Sequence, residues 1–378
     1  MGVSTQVTDV MDLLGGLTKA VEAVKVIETE RVSAIKPPKV LIEPWEPMFE
    51  DGCSSRGASG AIINLNQILD AYDDKENIHL VGPSGCGKTT IAKAMLDIKN
   101  APTRKENNAI WDRNEAELAK HPGLEADKLE PYISLPFPMK QYSSHEGTRS
   151  EDLAGKVDLG YDQDDRRVVE EVLGAMADSF ENGKTMIWEE FDFTPPSVLG
   201  EMHLFMDGSA TEAEINLKRP RIIEKHDNFR VIGTSNTLGD GEGAMEFAGT
   251  QPLNAAFMNR FNYTVQVTWL PEASEAKLLR AKTGLTGKNV EKMIKIANKM
   301  RKLYDEEQVQ SPISTRALLA WAREYKRALK RIGDSVAGRM TDSEIWHKVG
   351  IQAADCTVLA KLSDPCSKDA LMDAIKLY

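Results

Sequence analysis

The stretch "GPSGCGKTT", Gly82 to Thr90, restricts what this chain can fold into more than any other. It fits the spacing G-x-x-x-x-G-K-[ST], with the short apolar run "IHLVG" leading into it and "KTTIAKAMLDI", apolar at helical period, after it. A strand, a glycine-rich turn and a helix in that order form a backbone loop that cradles phosphate. Gly82, Gly85 and Gly87 let successive N–H groups turn inward, and the helix adds the partial positive charge of its N-terminus. Lys88 then reaches the β- and γ-phosphates, and the Thr89 hydroxyl is placed for Mg2+. Pro83, Ser84, Cys86 and Thr90 complete the loop, and the chemistry asks nothing of the Cys86 thiol.

The flanking pattern extends that unit. From about residue 60, "YISLPFP", "TMIWEE" and "FRVIGTSN" are further short apolar runs with helix-like segments between them. That alternation predicts an α/β core, a parallel sheet covered on both faces. After "WLPEAS" the texture is helical: "NVEKMIKIANKMRKLYDEE", "STRALLAWAREYKRALKRI" and "SEIWHKVGIQAADCTVLAKL" carry apolar residues at helical spacing. The expected organisation is a helix (residues 5–34) and proline-containing linker within 1–59, the core over 60–270, and an all-helical domain over 271–378. A charged segment near 100–131 reads as a surface insertion in the core.

Several classes are excluded or disfavoured. No apolar run approaches the length needed to span a bilayer, and the N-terminus lacks the layout of a signal peptide. Gln6 stands where the myristoylation pattern needs Ser or Thr. Cys53, Cys86, Cys356 and Cys366 form no CxxC pair and have no His at ligand spacing, which fits a reduced, cytoplasmic protein without structural zinc. A net charge of −11 argues against a surface devoted to wrapping nucleic acid. His145 and His203 read as surface or packing residues, and no cluster suggests a second metal.

The stretch "FRVIGTSNTLGDGEGAMEFAGTQPLNAAFMNRFN" (229–262), with "GTRSEDLAGKVDLG" and "EEVLGAMADSFENGKTMIWEEFDFTPPSVLGEMHLFMDG" before it, resembles the AAA+ ATPases. Within them it is similar to the MoxR-like branch, near the cobaltochelatase small subunit and the Rubisco- and nitric-oxide-reductase-activating ATPases. The resemblance covers about residues 60–330. It implies a P-loop AAA+ core followed by a helical lid, with ATP and Mg2+ as ligands and hydrolysis to ADP and phosphate as the reaction. By the same resemblance Glu190 orients and polarises the attacking water, and Glu189 stands at the Mg2+-supporting position. Asn236 looks like sensor 1, Arg260 like the finger offered to a neighbouring subunit's ATP, and Arg316 like sensor 2 on the lid. A homo-oligomeric ring, expected as a hexamer, is implied too, acting on a partner protein; many relatives use a partner with a von Willebrand factor A domain. "AEINLKRPRIIEKHDNFRVI" looks like the pre-sensor hairpin, whose Lys218, Arg219 and Arg221 could touch a substrate chain. "SSHEGTRSEDLAGKVDLGYDQDD" looks like the second-helix insert of the branch.

One departure stands out. The strand that ends Asp-Glu in the family ends Glu189-Glu190 here. Glutamate keeps the charge and adds about 1.5 Å of reach. Mg2+ usually keeps several waters, so a carboxylate acting through one of them tolerates the extra length. The expectation is therefore an active ATPase that remodels or activates a partner. Two other readings stay open: a nucleic-acid-associated motor, against which the acidic balance stands, and a nucleotide-gated scaffold with little turnover, favoured by Glu189 alone.

Overall fold

The computed structural model describes residues 55–57, 59, 63–121, 128–161, 167–237, 253–285, 287–333 and 340–378. The expected N-terminal helix and linker, Cys53 and most of the glycine-rich stretch after Asn236 lie outside them. The described residues fall into two compact units, residues 97–136 and the remainder.

The larger unit opens with β1 (Ser55–Arg56), α1 (Leu65–Asp73) and β2 (Ile78–Val81). Helix α2 (Lys88–Lys120) follows, its residues from Asp97 on counted with the smaller unit, then β3 (Met139–Ser143), α3 (Ser150–Leu153), β4 (Gly155–Tyr161), β5 (Arg167–Leu173), α4 (Ala175–Asn182) and β6 (Thr185–Glu189). A 3-10 turn (Phe191–Phe193) leads to α5 (Pro196–Met206), β7 (Glu212–Asn216), β8 (Pro220–Glu224), β9 (Arg230–Ser235), α6 (Ala255–Met258) and β10 (Tyr263–Val267). Six strands form one sheet in the order β1-β10-β2-β9-β6-β3, parallel throughout except for β1. Successive residues of each central strand serve opposite faces. On β6, Met186 and Trp188 pack into one apolar cluster and Ile187 into the other; on β9, Val231 and Ile232 divide the same way. A parallel sheet buried on both faces explains why these strands read as unbroken apolar runs rather than alternating ones.

One strand is displaced from its expected place. "YISLPFP" (132–138) is not a strand; the strand is the next five residues, "MKQYS", Met139–Ser143. Pro136 and Pro138 have no N–H to give to a ladder, so pairing starts where the prolines stop. Pro138 contributes only its carbonyl, which accepts from Thr185 N at 2.7 Å. As the outermost strand of the sheet, β3 alternates exposed and half-buried residues and carries no apolar run to betray it.

Two hairpins project from this frame. β4 pairs antiparallel with β5, and β7 with β8. The second matches the expected hairpin, but Arg221 is engaged, donating to Glu181 Oε1 at 2.6 Å. The first carries half-exposed Val157, Leu159 and Val169.

From Glu272 onward the elements of the described residues are helical: α7 (Glu272–Thr283), α8 (Lys288–Asp305), α9 (Thr315–Ile332), α10 (Asp342–Ile345), α11 (Ile351–Asp355) and α12 (Pro365–Leu377). Their apolar stripes meet in a third cluster around Trp321, Tyr325 and Trp346. The stretch "SEIWHKVGIQAADCTVLAKL" is not one helix: Trp346–Gly350 forms a π-helical turn between α10 and α11. Ser314 caps α9, accepting from Ala317 N at 3.1 Å.

In the smaller unit, the charged segment expected as an insertion is helical as far as Lys120, with Pro102 inside the helix. Asn107 exchanges two hydrogen bonds with the backbone of Ile133 (2.8 and 2.9 Å), and Asn114 two with the backbone of Glu130 (both 2.9 Å). The amide side chains thus stand in for strand partners to residues 130–133.

Candidate functional site

The site lies beyond the C-terminal ends of β2, β6 and β9, where an open α/β sheet places its ligand crevice. The phosphate loop joins β2 to α2. Gly82 fits there because a Cβ would stand 2.1 Å from the carbonyl oxygen of Val267, a backbone atom that cannot yield. Gly85 has φ +79°, and a Cβ on it would stand 2.8 Å from the Ser314 Cβ. The loop therefore closes against the first turn of α9, and glycine is what permits it.

Lys88 is buried and folded into the loop it follows. Its Nζ donates to the carbonyls of Gly82 (2.6 Å) and Pro83 (3.1 Å) and to Asn236 Oδ1 (3.0 Å). Burial lowers its pKa, with Asp192 and Glu190 among the anionic neighbours that oppose the fall. The Thr89 hydroxyl donates to Glu189 Oε1, and Gln141 Nε2 donates to Glu189 Oε2 at 2.5 Å. Glu189 therefore does reach the threonine of the loop, held from its other side by β3.

Glu190 is exposed and adopts φ 52°, ψ 41°, a left-handed conformation uncommon for a side-chain-bearing residue. Its N–H donates to Thr234 Oγ1 at 3.3 Å. The 3-10 turn that follows carries Asp192, fully buried, whose Oδ2 accepts from the N–H of Asn236 at 3.0 Å. Burial raises the pKa of Asp192, and hydrogen bonding from Asn236 pulls the other way. The ends of β6 and β9 are thus tied together, so Glu190 and Asn236 share one frame.

His79, on β2 beneath the loop, is fully buried, its ring 5.1 Å from that of Phe191 and 5.3 Å from that of Phe261. Burial first, then the charge of Lys88, lowers its pKa to about 3. Its Nε2 lies 2.6 Å from Ser235 Oγ, which donates to the Thr237 carbonyl at 2.7 Å. A hydroxyl has one proton to donate, so the imidazole supplies the other: Nε2 carries the hydrogen.

A cleft of ≈ 180 Å3 gathers Ser84, Gly85, Gly87, Lys88, Thr89, Thr90, Glu189, Glu190, Asn236 and Arg316, along with Ser143 and Thr234. Gly82, Pro83 and Cys86 are outside its lining; Cys86 is buried, and burial raises its thiol pKa. Arg260 is outside it as well. It follows the short helix α6, which Phe257 and Phe261 anchor to the core, and its Nη1 pairs with Asp207 Oδ2 at 2.8 Å. The Arg260 carbonyl accepts from Asn77 Nδ2 at 2.9 Å. Ser143, Thr234 and Gln141 escaped the sequence reading because only register brings them in: Ser143 lies opposite Glu189 across the β3–β6 ladder. His203 packs against Phe257, and His145 Nδ1 accepts from Gly147 N at 3.0 Å. Among the described residues no group of His, Cys, Asp or Glu is arranged to hold a metal by itself. No helix among them is long and apolar enough to cross a membrane.

The donor set fits a nucleotide carrying Mg2+. Lys88 Nζ, held on the loop's own carbonyls at the cleft, offers a cation to phosphate. Thr89 and Glu189 offer hard oxygen atoms suited to Mg2+, with water and phosphate left to complete its shell.

Strand order, loop and helical lid together define a P-loop nucleotide fold of the AAA type. Residues 128–261 match the AAA domain of the dynein-related subfamily, and residues 275–333 match the C-terminal domain of the CbbQ, NirQ and NorQ proteins. The first match holds Glu189, Glu190, Asn236 and Arg260, and the second holds Arg316. Aerobic cobaltochelatase subunit CobS of Sinorhizobium sp is 27% identical over 176 residues, 45% of this chain and 52% of that protein. Gas vesicle ATPase GvpN1 of Halobacterium salinarum is 23% identical over 229 residues, 60% of this chain and 57% of that protein. This chain thus spans little more than half the length of these curated relatives. Among solved structures, NtrX of Brucella abortus in complex with ADP aligns at a TM-score of 0.40 and 14% identity, over 71% of this chain and 49% of that chain. The chain resembles the MoxR-like AAA+ ATPases of the CobS and CbbQ type.

Proposed function

We propose that this chain is a Mg2+-dependent ATPase that works as a cytoplasmic ring of identical subunits, a hexamer, and remodels or activates a partner protein. The proposed organisation is a core over 60–270 with the 100–131 segment inserted in it, a lid over 271–378, and an N-terminal segment over 1–59. The observation that carries the reading is the cleft itself, which joins Lys88, Thr89, Glu189, Glu190, Asn236 and Arg316 while Arg260 stands outside it. A group needed by the chemistry but absent from its own subunit's cleft is what an arginine supplied to a neighbour requires. One relative is by name a subunit of a larger enzyme, which supports a protein partner; a von Willebrand factor A domain protein is the proposed kind.

In this reading the loop amides and Lys88 bind the phosphates, and Lys88 exchanges its carbonyl partners for phosphate oxygens. Thr89 and Glu189 would hold Mg2+, which neutralises charge on the phosphates when bound. Glu190 orients a water toward the terminal phosphate, and Asn236, fixed through its N–H by Asp192, keeps that water and Lys88 in register. Arg316 from the lid and Arg260 from the next subunit draw off the developing negative charge.

Steady-state ATPase activity over a protein concentration series tests this. Wild-type turnover per subunit should rise with concentration as the ring assembles. Glu190→Gln should lose at least about 100-fold while still binding ATP. Arg260→Ala should lose about 1,000-fold or more at every concentration. Binding without turnover at any wild-type concentration would reduce the chain to a nucleotide-gated scaffold.

A further inference from the structure

The lid contains a buried charge network that the steps above do not use. Arg301 on α8 and Glu275 on α7 form a two-pronged ion pair, 2.8 Å for Nη2–Oε1 and 2.9 Å for Nη1–Oε2, with side chains 4% and 0% exposed. Arg301 also donates to the Ile313 carbonyl (2.9 Å) and Asn298 Oδ1 (2.8 Å), and its guanidinium lies 4.6 Å from the centre of the Trp269 ring. Glu275 Oε1 in turn accepts from the Thr315 hydroxyl at 2.7 Å. Ile313 and Thr315 bracket Ser314, the cap of α9, and the next residue along is Arg316, which lines the nucleotide cleft.

Stability alone is a weak reason for such a network. Taking two charges out of water costs several kcal/mol per ion, and well-packed apolar replacements are often as stable. What a forked, fully bonded arginine supplies is geometry. Here the geometry converges on one place, the first turn of α9. The network grips that turn through the Ile313 carbonyl and the Thr315 hydroxyl, and the phosphate loop meets it at Ser314 through Gly85.

We propose that Glu275, Arg301 and Thr315 are positioning residues for the nucleotide site. They fix the start of α9 so that Arg316 faces the terminal phosphate, and so set the preference for a nucleoside triphosphate over a diphosphate. This rests on the nucleotide reading above and adds to it the device that aims the lid arginine.

The test is equilibrium titration of the full chain with mant-ATP and mant-ADP in Mg2+, which reads binding without turnover. Thr315→Val keeps the shape and removes the hydroxyl; it should weaken mant-ATP roughly tenfold and leave mant-ADP unchanged. Thr315→Ser should restore wild-type affinity. In an Arg316→Ala background Thr315→Val should have no further effect, because its route runs through Arg316. If Thr315→Val proves unfolded by its melting curve, Glu275→Gln carries the same test. Equal weakening of both nucleotides, a loss that persists without Arg316, or no loss at all would overturn the inference alone. A wild type that binds neither nucleotide would sink the nucleotide reading and this inference with it.

Discussion

Shortening Glu189 by one carbon asks whether the second glutamate is a fitted part or a brake. The carboxylate is held at both oxygens, by the Thr89 hydroxyl and by Gln141 Nε2 at 2.5 Å. The backbones on either side are fixed: β6 is a central strand paired with β3 and β9, and Thr89 stands in the first turn of α2. Glu189→Asp withdraws the carboxylate by about 1.5 Å, so the Gln141 contact would open to roughly 4 Å, beyond hydrogen-bond range. A hydrogen bond to a charged group contributes about 1.5–3 kcal/mol, and the part exposure of Glu189 favours the lower figure. That is about a tenfold loss of Mg2+-dependent turnover. The assay is ATPase rate against Mg2+ concentration for wild type, Glu189→Asp and Gln141→Ala. Both variants should need more Mg2+, with the aspartate the more impaired because it also strains the Thr89 contact. An aspartate variant as fast as wild type, or faster, would refute the reasoning and make Glu189 a brake.

Two further outcomes follow from the geometry. His79 titrates near 6.5 unfolded and at about 3 folded, so the unfolded chain binds the extra proton between those values and stability falls as pH drops through that window; above 6.5 the contribution is complete. Its ceiling is roughly 4–5 kcal/mol, and His79→Phe should flatten the dependence of Tm on pH between 6.5 and 4, as thermal melts would show. Gly85→Ala forces a Cβ against Ser314 at 2.8 Å and should weaken nucleotide binding by about tenfold while barely moving Tm, with Ser314→Gly restoring part of the loss.

The phosphate loop was legible because its chemistry is written in consecutive residues. A run of glycines followed by lysine and threonine has to curl, wherever the rest of the chain goes. The helical lid was legible because "STRALLAWAREYKRALKRI" repeats at helical period, and α9 begins at the residue after its serine cap. The roles assigned to Glu190, Asn236, Arg260 and Arg316 came through family resemblance, and the structure places three of the four on the cleft. What could not be read was anything set by register. Gln141 and Ser143 sit in a polar edge strand behind two prolines, and nothing local marks them as neighbours of Glu189. The Glu275–Arg301–Thr315 network was hidden for the same reason: its members are 26 and 40 residues apart, each an ordinary polar residue in a helical pattern.

The pairing of Arg260 with Asp207 has a consequence for how strongly nucleotide and assembly speak to one another. On the proposed reading, an arginine that serves a neighbour must first leave its own aspartate. Association then swaps one anionic partner for another, and the number of ion pairs is the same before and after. This arginine's own contribution to the drive toward the ring is then only the difference between a carboxylate and a terminal phosphate as its companion. With a diphosphate next door that difference shrinks, and the arginine goes home. On the same reading, each turnover would weaken this one tie between neighbouring subunits.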